Sequence, residues 1–159
     1  NAILAAEDHR FLSHHGIDII RVFGAALVDL RTDQRVQGGS TLTMQLARNF
    51  FLSPRRTWRR KIKEAFISLM LEQRLAKEQI FEMYSNQIYL RQRGSFAIYG
   101  VGEAAGAYFN KDVGSLTLPE AALLAGMIRG PSLYNPYRNP ERAAARRNWR
   151  SAAPGFPTT

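Results

Sequence analysis

Five long stretches of the chain place apolar residues at helical spacing. Ile20, Phe23, Leu27 and Leu30 predict a helix over 17–31. Asp18 stands near its start, where an anionic side chain suits the helix dipole. Leu42, Leu46 and Phe50 predict a second helix, entered through Gly38-Gly39-Ser40-Thr41 with Ser40 or Thr41 as its cap and closed by Pro54. The third has the clearest rhythm. Trp58, Ile62, Ala65, Phe66, Leu69 and Met70 form a stripe expected to face the core, with Lys61, Glu64 and Ser68 off it. A fourth starts near Lys77 with Ile80, Phe81, Tyr84 and Ile88 inward. The fifth follows Thr117-Leu118-Pro119-Glu120, which reads as a capping box with proline in the first turn, and continues through Ala121, Leu124, Ala125 and Ile128 to Gly130-Pro131. Residues 103–109 suggest a short helix packing Ala104, Ala107 and Tyr108. Residues 92–102 read as an irregular loop, and no stretch alternates as a strand. The expected fold is mainly α.

At 159 residues the length predicts one domain, assigned to 1–150, with the Pro/Gly-rich 151–159 as linker or tail. Hydrophobic residues are 45% and aromatics 11%, enough for a packed core. The absence of cysteine excludes a disulfide framework, a thiolate metal site and a thiol nucleophile. No apolar run is long enough to cross a bilayer. The chain opens without Met, which leaves an upstream leader or anchor open. Net charge +9 points to an anionic partner: nucleic acid, acidic lipid or a phosphorylated substrate.

Without cysteine, an HExxH pair or a GxSxG elbow, the chemistry falls to carboxylates, hydroxyls, amides and cations. Glu7 and Glu64 stand on separate elements, as glycosyl transfer or hydrolysis requires. The plainer reading makes Glu7 a surface acid and Glu64 the i, i+4 partner of Arg60. The turn before Leu42 is a candidate anion site or an ordinary cap. Seven cations lie between 48 and 63, namely Arg48, Arg55, Arg56, Arg59, Arg60, Lys61 and Lys63, either a phosphate-binding cluster or a solvated face. Arg138, Arg142, Arg146, Arg147 and Arg150 are read as a solvated face of a C-terminal helix. Phe50-Phe51-Leu52 is a candidate interfacial segment, while Trp58 and Phe66 are assigned to the core. His14 is read as a structural histidine.

Five motifs in order resemble the peptidoglycan glycosyltransferase domain of class A penicillin-binding proteins and monofunctional transglycosylases, glycosyltransferase family 51. They are 7–16 (EDHRFLSHHG), 39–45 (GSTLTMQ) running to Arg48-Asn49, 60–64 (RKIKE), 77–89 with Tyr84, Asn86 and Tyr89, and 119–126 (PEAALLAG) followed by 131–136 (PSLYNP). The resemblance covers residues 1 to 148.

It implies a lysozyme-like helical lobe with a small membrane-proximal jaw lobe. The implied activity is polymerisation of lipid II into β-1,4 glycan strands, with inversion and with undecaprenyl pyrophosphate leaving. Glu7 would be the general base. Glu64 would assist the leaving group, directly or as a ligand of a divalent cation, Mg or Mn. Arg48, Arg60 and Lys61 would neutralise the diphosphate. Ser40, Gln45, Arg129 and Ser132 would line the donor site, and Thr41, Asn49 and Asn86 would join the substrate-binding set. Implied partners are lipid II, polyprenyl-pyrophosphate-linked glycan, a membrane surface and moenomycin-type inhibitors at the donor site. The implied location is the extracytoplasmic face of the bacterial cytoplasmic membrane. A nucleic-acid binder would account for the charge but not for Glu7, Glu64 and the ordered motifs.

Three departures stand out. Met44 and Arg48 replace the usual Gln and Lys of the second motif, and Arg91 replaces a glycine after the fourth. If that glycine serves a special backbone conformation, Arg91 strains its turn. The competing reading is a catalytically impaired module that binds the polyprenyl-pyrophosphate substrate at a membrane surface.

Overall fold

The computed structural model describes residues 2–24, 39–53, 55, 57–93 and 96–151. They form helices α1 (Ala2–Glu7), α2 (Leu42–Phe51), α3 (Trp58–Arg74), α4 (Lys77–Gln87), α5 (Val101–Phe109), α6 (Leu118–Met127) and α7 (Pro140–Ser151). Strands β1 (Tyr89–Arg93) and β2 (Phe96–Tyr99) pair between α4 and α5. Residues 19–24 are also helical, and 3-10 turns lie at Phe11–Ser13 and Val113–Ser115. The fold is mainly α, as expected. Among the described residues no helix is long and apolar enough to cross a membrane. Leu27, Leu30, Gly38, Pro54, Arg56 and the tail from 152 lie outside the described residues.

The chain divides into two compact units, Arg10–Met83 and the pair of segments Asn1–His9 and Tyr84–Thr159. In the first, α2 packs on α3. Leu42, Met44, Leu46 and Ala47 line the inner face of α2. Thr41 is the cap, its hydroxyl accepting the Met44 N–H at 3.2 Å. Much of the buried remainder is polar. Thr43 donates to Glu72 at 2.6 Å. Lys77 binds Glu72 and the His14 carbonyl and lies over the Phe11 ring, 4.4 Å from its centroid. Asp18 accepts the Arg21 N–H, as an N-terminal acid should.

The helical periodicity of 58–74 is correct, but its expected direction is reversed. Glu64 and Ser68 are the buried side chains of α3. Trp58, Ile62 and Phe66 are 87, 69 and 64% exposed. Ile20, Phe23 and Phe50 also face outward. The inward face of α3 carries Glu64, paired with Arg60 and Lys61 of the same helix, and Ser68.

In the second unit, α6 packs on α1, α5 and α7. Small residues permit close approach: Ala6, Ala104, Ala105, Ala122, Ala125 and Ala143 are buried. The Glu120 carboxylate accepts the Thr117 N–H at 2.8 Å and closes the expected capping box. The hairpin corrects the loop expected at 92–102. Leu90 and Ile98 point inward, yet the outward positions hold Tyr89, Tyr99 and Phe96, which erases the polar half of the alternation. Tyr89 and Tyr99 form a cross-strand pair at 5.5 Å. Arg91 pairs with Ile98 in this sheet. Asn110 is the one non-glycine residue at positive φ among the described residues, so Arg91 carries no such strain.

Gly16 sits at φ +85°, and a Cβ there would lie 2.8 Å from the Ser68 carbonyl oxygen. Gly16→Ala should therefore lower stability by about 2–3 kcal/mol, read as a reduced denaturant midpoint. The Lys111 ammonium and the Thr117 groups hold the Glu120 carboxyl at about 2, below its usual 4.5. The unfolded chain takes up that proton first as pH falls. This contribution to stability is complete above pH 4.5 and is lost as pH falls through about 2. Glu120→Gln should remove that part of the acid dependence in a pH series of thermal melts.

Candidate functional site

Gly16, Thr41 and α3 are brought together by one polar contact. The Thr41 hydroxyl donates to the Gly16 carbonyl while it caps α2. Gly16 in turn lies against the backbone of Ser68. The first two motifs thus meet at the Gly16 carbonyl, and Gly16 lies against the helix that carries the third.

Glu64 lies on the buried face this arrangement creates, 1% exposed. Its Oε1 is 2.9 Å from Arg60 Nε and its Oε2 is 3.1 Å from Lys61 Nζ. Lys61 Nζ also donates to Ser40 Oγ at 2.7 Å. Ser40, Arg60, Lys61 and Glu64 therefore form one cluster. The i, i+4 pair with Arg60 foreseen as the plain alternative is present, but it belongs to a buried network and not to a solvated face. A buried carboxylate is tolerated only where cations and hydrogen bonds replace water. Here two cations do so, and Lys61 remains partly accessible.

Both Glu64 oxygens are engaged by cations, and among the described residues no group of three or more His, Asp or Glu could hold a metal ion. Mg and Mn prefer several oxygen ligands. This donor set does not fit a resident divalent ion.

Gln45, Arg48 and Asn49 follow Thr41 at i+4, i+7 and i+8, which places them on one face of α2. Gln45 and Arg48 are half-buried and Asn49 is exposed. They stand on the helix that Ser40 and Thr41 open.

Glu7 ends α1 in the other unit and is half-buried. Arg129 and Ser132 follow α6 and are exposed. Asn86, near the end of α4, is exposed, and its carbonyl would lie 2.8 Å from a Cβ at Gly100, which takes φ +82°.

Arg146 was missed by sequence reasoning, which placed it on a solvated face. It is half-buried, with its guanidinium 5.4 Å from the Tyr134 ring centroid. Burial pushes it below the usual arginine range, and Tyr134, Arg129 and Glu7 act on it electrostatically. Gly126 makes the room: a Cβ there would stand 3.2 Å from Arg146 Cγ. The available signal was the glycine inside α6, a position where helices usually avoid it. An open depression of about 460 Å³ is lined by Leu133, Tyr134, Arg142, Ala145 and Arg146.

Residues 1–153 match the Transglycosylase family. Penicillin-binding protein 1A of Escherichia coli is 52% identical over 147 residues, 92% of this chain and 17% of that protein. Penicillin-binding protein 1A of Aquifex aeolicus is 51% identical over 148 residues, 93% of this chain and 20% of that protein. Penicillin-binding protein 1B of Haemophilus influenzae is 47% identical over 148 residues, 93% of this chain and 19% of that protein. The chain spans about a fifth of the length of these relatives. The chain belongs to the transglycosylase family, whose likeness its five ordered motifs carry.

Proposed function

We propose that this chain polymerises lipid II into β-1,4 glycan strands at the extracytoplasmic face of the cytoplasmic membrane. The observation that carries the reading is the buried Glu64 carboxylate with Arg60 and Lys61 gathered on it and the Ser40 hydroxyl accepting from Lys61. Such a cluster suits a diphosphate leaving group, which needs fixed positive charge more than it needs a strong acid. Glu64 holds the two cations in place before the substrate arrives. Arg48, with Gln45 and Asn49 beside it on α2, adds to the same donor side.

In this mechanism the 4-hydroxyl of the incoming sugar attacks the anomeric carbon of the growing strand. The new C–O bond forms as the bond to the diphosphate breaks on the opposite face, with inversion. The hydroxyl proton passes to the Glu7 carboxylate, and the negative charge leaves on undecaprenyl pyrophosphate beside Arg60 and Lys61. Arg129, Ser132 and Asn86 contact the sugar and diphosphate groups. Moenomycin-type inhibitors occupy the donor side. Arg91, one of the departures that favoured a binding module without turnover, pairs with Ile98 beside a β-bulge and carries no positive φ, which supports an active chain.

The membrane side of the reading rests on α3. Trp58, Ile62 and Phe66 repeat every four residues and face outward, with the exposed Arg59 and Lys63 beside them. An apolar stripe flanked by cations suits the boundary between acyl chains and anionic headgroups.

Fluorescent lipid II in detergent, resolved on a gel, tests the chemistry. A product ladder is expected, with Glu7→Gln slower by at least about a hundredfold, the usual loss for a general base. An unchanged ladder in Glu7→Gln would remove the base assignment, and absence of any ladder would remove the activity. Sedimentation with vesicles containing anionic lipid tests the surface. Trp58→Ser with Phe66→Ser should weaken binding about tenfold or more, since each aromatic buries a large apolar area, and equal binding would overturn the docking face.

A further inference from the structure

Lys77 opens α4, and its ammonium touches both supports of the α2 N-terminus. Nζ donates to the His14 carbonyl at 2.6 Å. It also meets both Glu72 oxygens, at 2.8 and 2.7 Å, and stands 4.4 Å from the Phe11 ring centroid. These contacts all lie within the unit Arg10–Met83. The Glu72 side chain is 4% exposed and that of Lys77 17%, so the pair is shielded from water.

Two hydroxyls at the start of α2 complete the arrangement. Thr43, fully buried, donates to Glu72 Oε1 at 2.6 Å. Thr41, the cap, donates to the Gly16 carbonyl, two residues beyond the carbonyl that Lys77 holds. The start of α2 is therefore tied twice, once to α3 through Glu72 and once to segment 14–16, and Lys77 binds both ties. Ser40 immediately precedes this start. Its Oγ accepts from Lys61, the cation paired with Glu64. A displacement of segment 14–16 or of Glu72 would reach Ser40 through Thr41 and Thr43.

We propose that Lys77 is a positioning residue for the cluster of Ser40, Lys61 and Glu64. It locks segment 14–16 and Glu72, and through Thr41 and Thr43 it fixes where the start of α2 stands. The diphosphate role of the cluster rests on the polymerase reading above; the lock itself does not. A compact ammonium suits this node. Its three N–H groups diverge, and here they meet a carbonyl, a carboxylate and a ring face. The planar fork of arginine keeps its donors in one plane and does not reproduce that set. Methionine keeps much of the stem and removes the charge, which leaves Glu72 with Thr43 alone among these two donors.

The experiment compares the unsubstituted chain with Lys77→Met, Lys77→Arg and Thr43→Val. Amide hydrogen exchange at Met44 and Gln45 is the first readout, because their N–H groups bond the Thr41 hydroxyl and carbonyl. Exchange at Ala121 and Ala143, in the other unit, reports global opening. KM and kcat for strand elongation are the second readout. Lys77→Met should raise exchange at Met44 and Gln45 about tenfold or more, as loss of charge-assisted bonds predicts, with Ala121 and Ala143 unchanged. A misplaced cluster stabilises the leaving diphosphate less, so kcat should fall about tenfold or more with KM within about threefold. Lys77→Arg should resemble Lys77→Met. Thr43→Val keeps the Lys77–Glu72 pair and removes only its tie to α2, so both readouts should move the same way by less. It carries the test if Lys77→Met does not fold. Unchanged exchange at Met44 and Gln45 overturns the lock, and so does an equal rise at Ala121 and Ala143. A local rise with unchanged kcat overturns the link to the cluster. Full activity in Lys77→Arg overturns the need for an ammonium. If the unsubstituted chain makes no strands, exchange still decides the lock, and it is the polymerase reading that fails.

Discussion

A carboxylate removed from water must be given positive charge in return, and in this chain much follows from how Glu64 obtains it. The two cations come from its own helix, one turn earlier, and one of them reaches the serine that precedes α2. That requirement turns one face of α3 inward and rules out the alternative orientation. Isolated, such a cluster would be expensive to bury. It is sustained because Thr41 and Gly16 bring the backbone close enough to exclude water while leaving Lys61 partly accessible. On the proposed function, the charge that serves the chemistry is the same charge that holds Glu64 in the fold.

The other unit reaches a related result by different means. Arg146 enters beside Gly126, whose missing side chain leaves room for its stem, and Tyr134 covers part of its guanidinium. Burial there lowers the Arg146 pKa from its ordinary value, with Tyr134, Arg129 and Glu7 acting on it electrostatically. In both units, small backbone positions decide where the large charged groups stand.

Local chemistry was well expressed in the sequence. The Thr117–Glu120 box, the Asp18 start and the Thr41 cap depend on neighbours within four residues, and each forms as read. Periodicity located α3 but could not say which medium its stripe would meet, because hydrophobic spacing is identical for a core and for a lipid boundary. The hairpin escaped because Tyr89, Tyr99 and Phe96 occupy its outward positions. Arg146 escaped because the glycine that admits it is twenty residues away in sequence. The pairing of Arg60 with Glu64 was legible from spacing; its burial was not, since that depends on Gly16 and Thr41. Arg91 was legible only as a departure from a pattern; its strand pairing with Ile98 was not.

The two faces of α3 also set a height. Glu64 lies between Ile62 and Phe66 in sequence but on the opposite side of the helix, so the carboxylate and the aromatic stripe are level along the axis. They are separated by about one helix diameter, roughly 10 Å. With the stripe at the acyl boundary, that distance is comparable to the thickness of the headgroup layer, about 5–7 Å on each side of the hydrocarbon core. On the proposed docking, a diphosphate joined to a polyprenyl tail would stand at that depth while its tail remained in the bilayer. The helix would act as a gauge that lets the cationic cluster meet the headgroup without extracting the lipid.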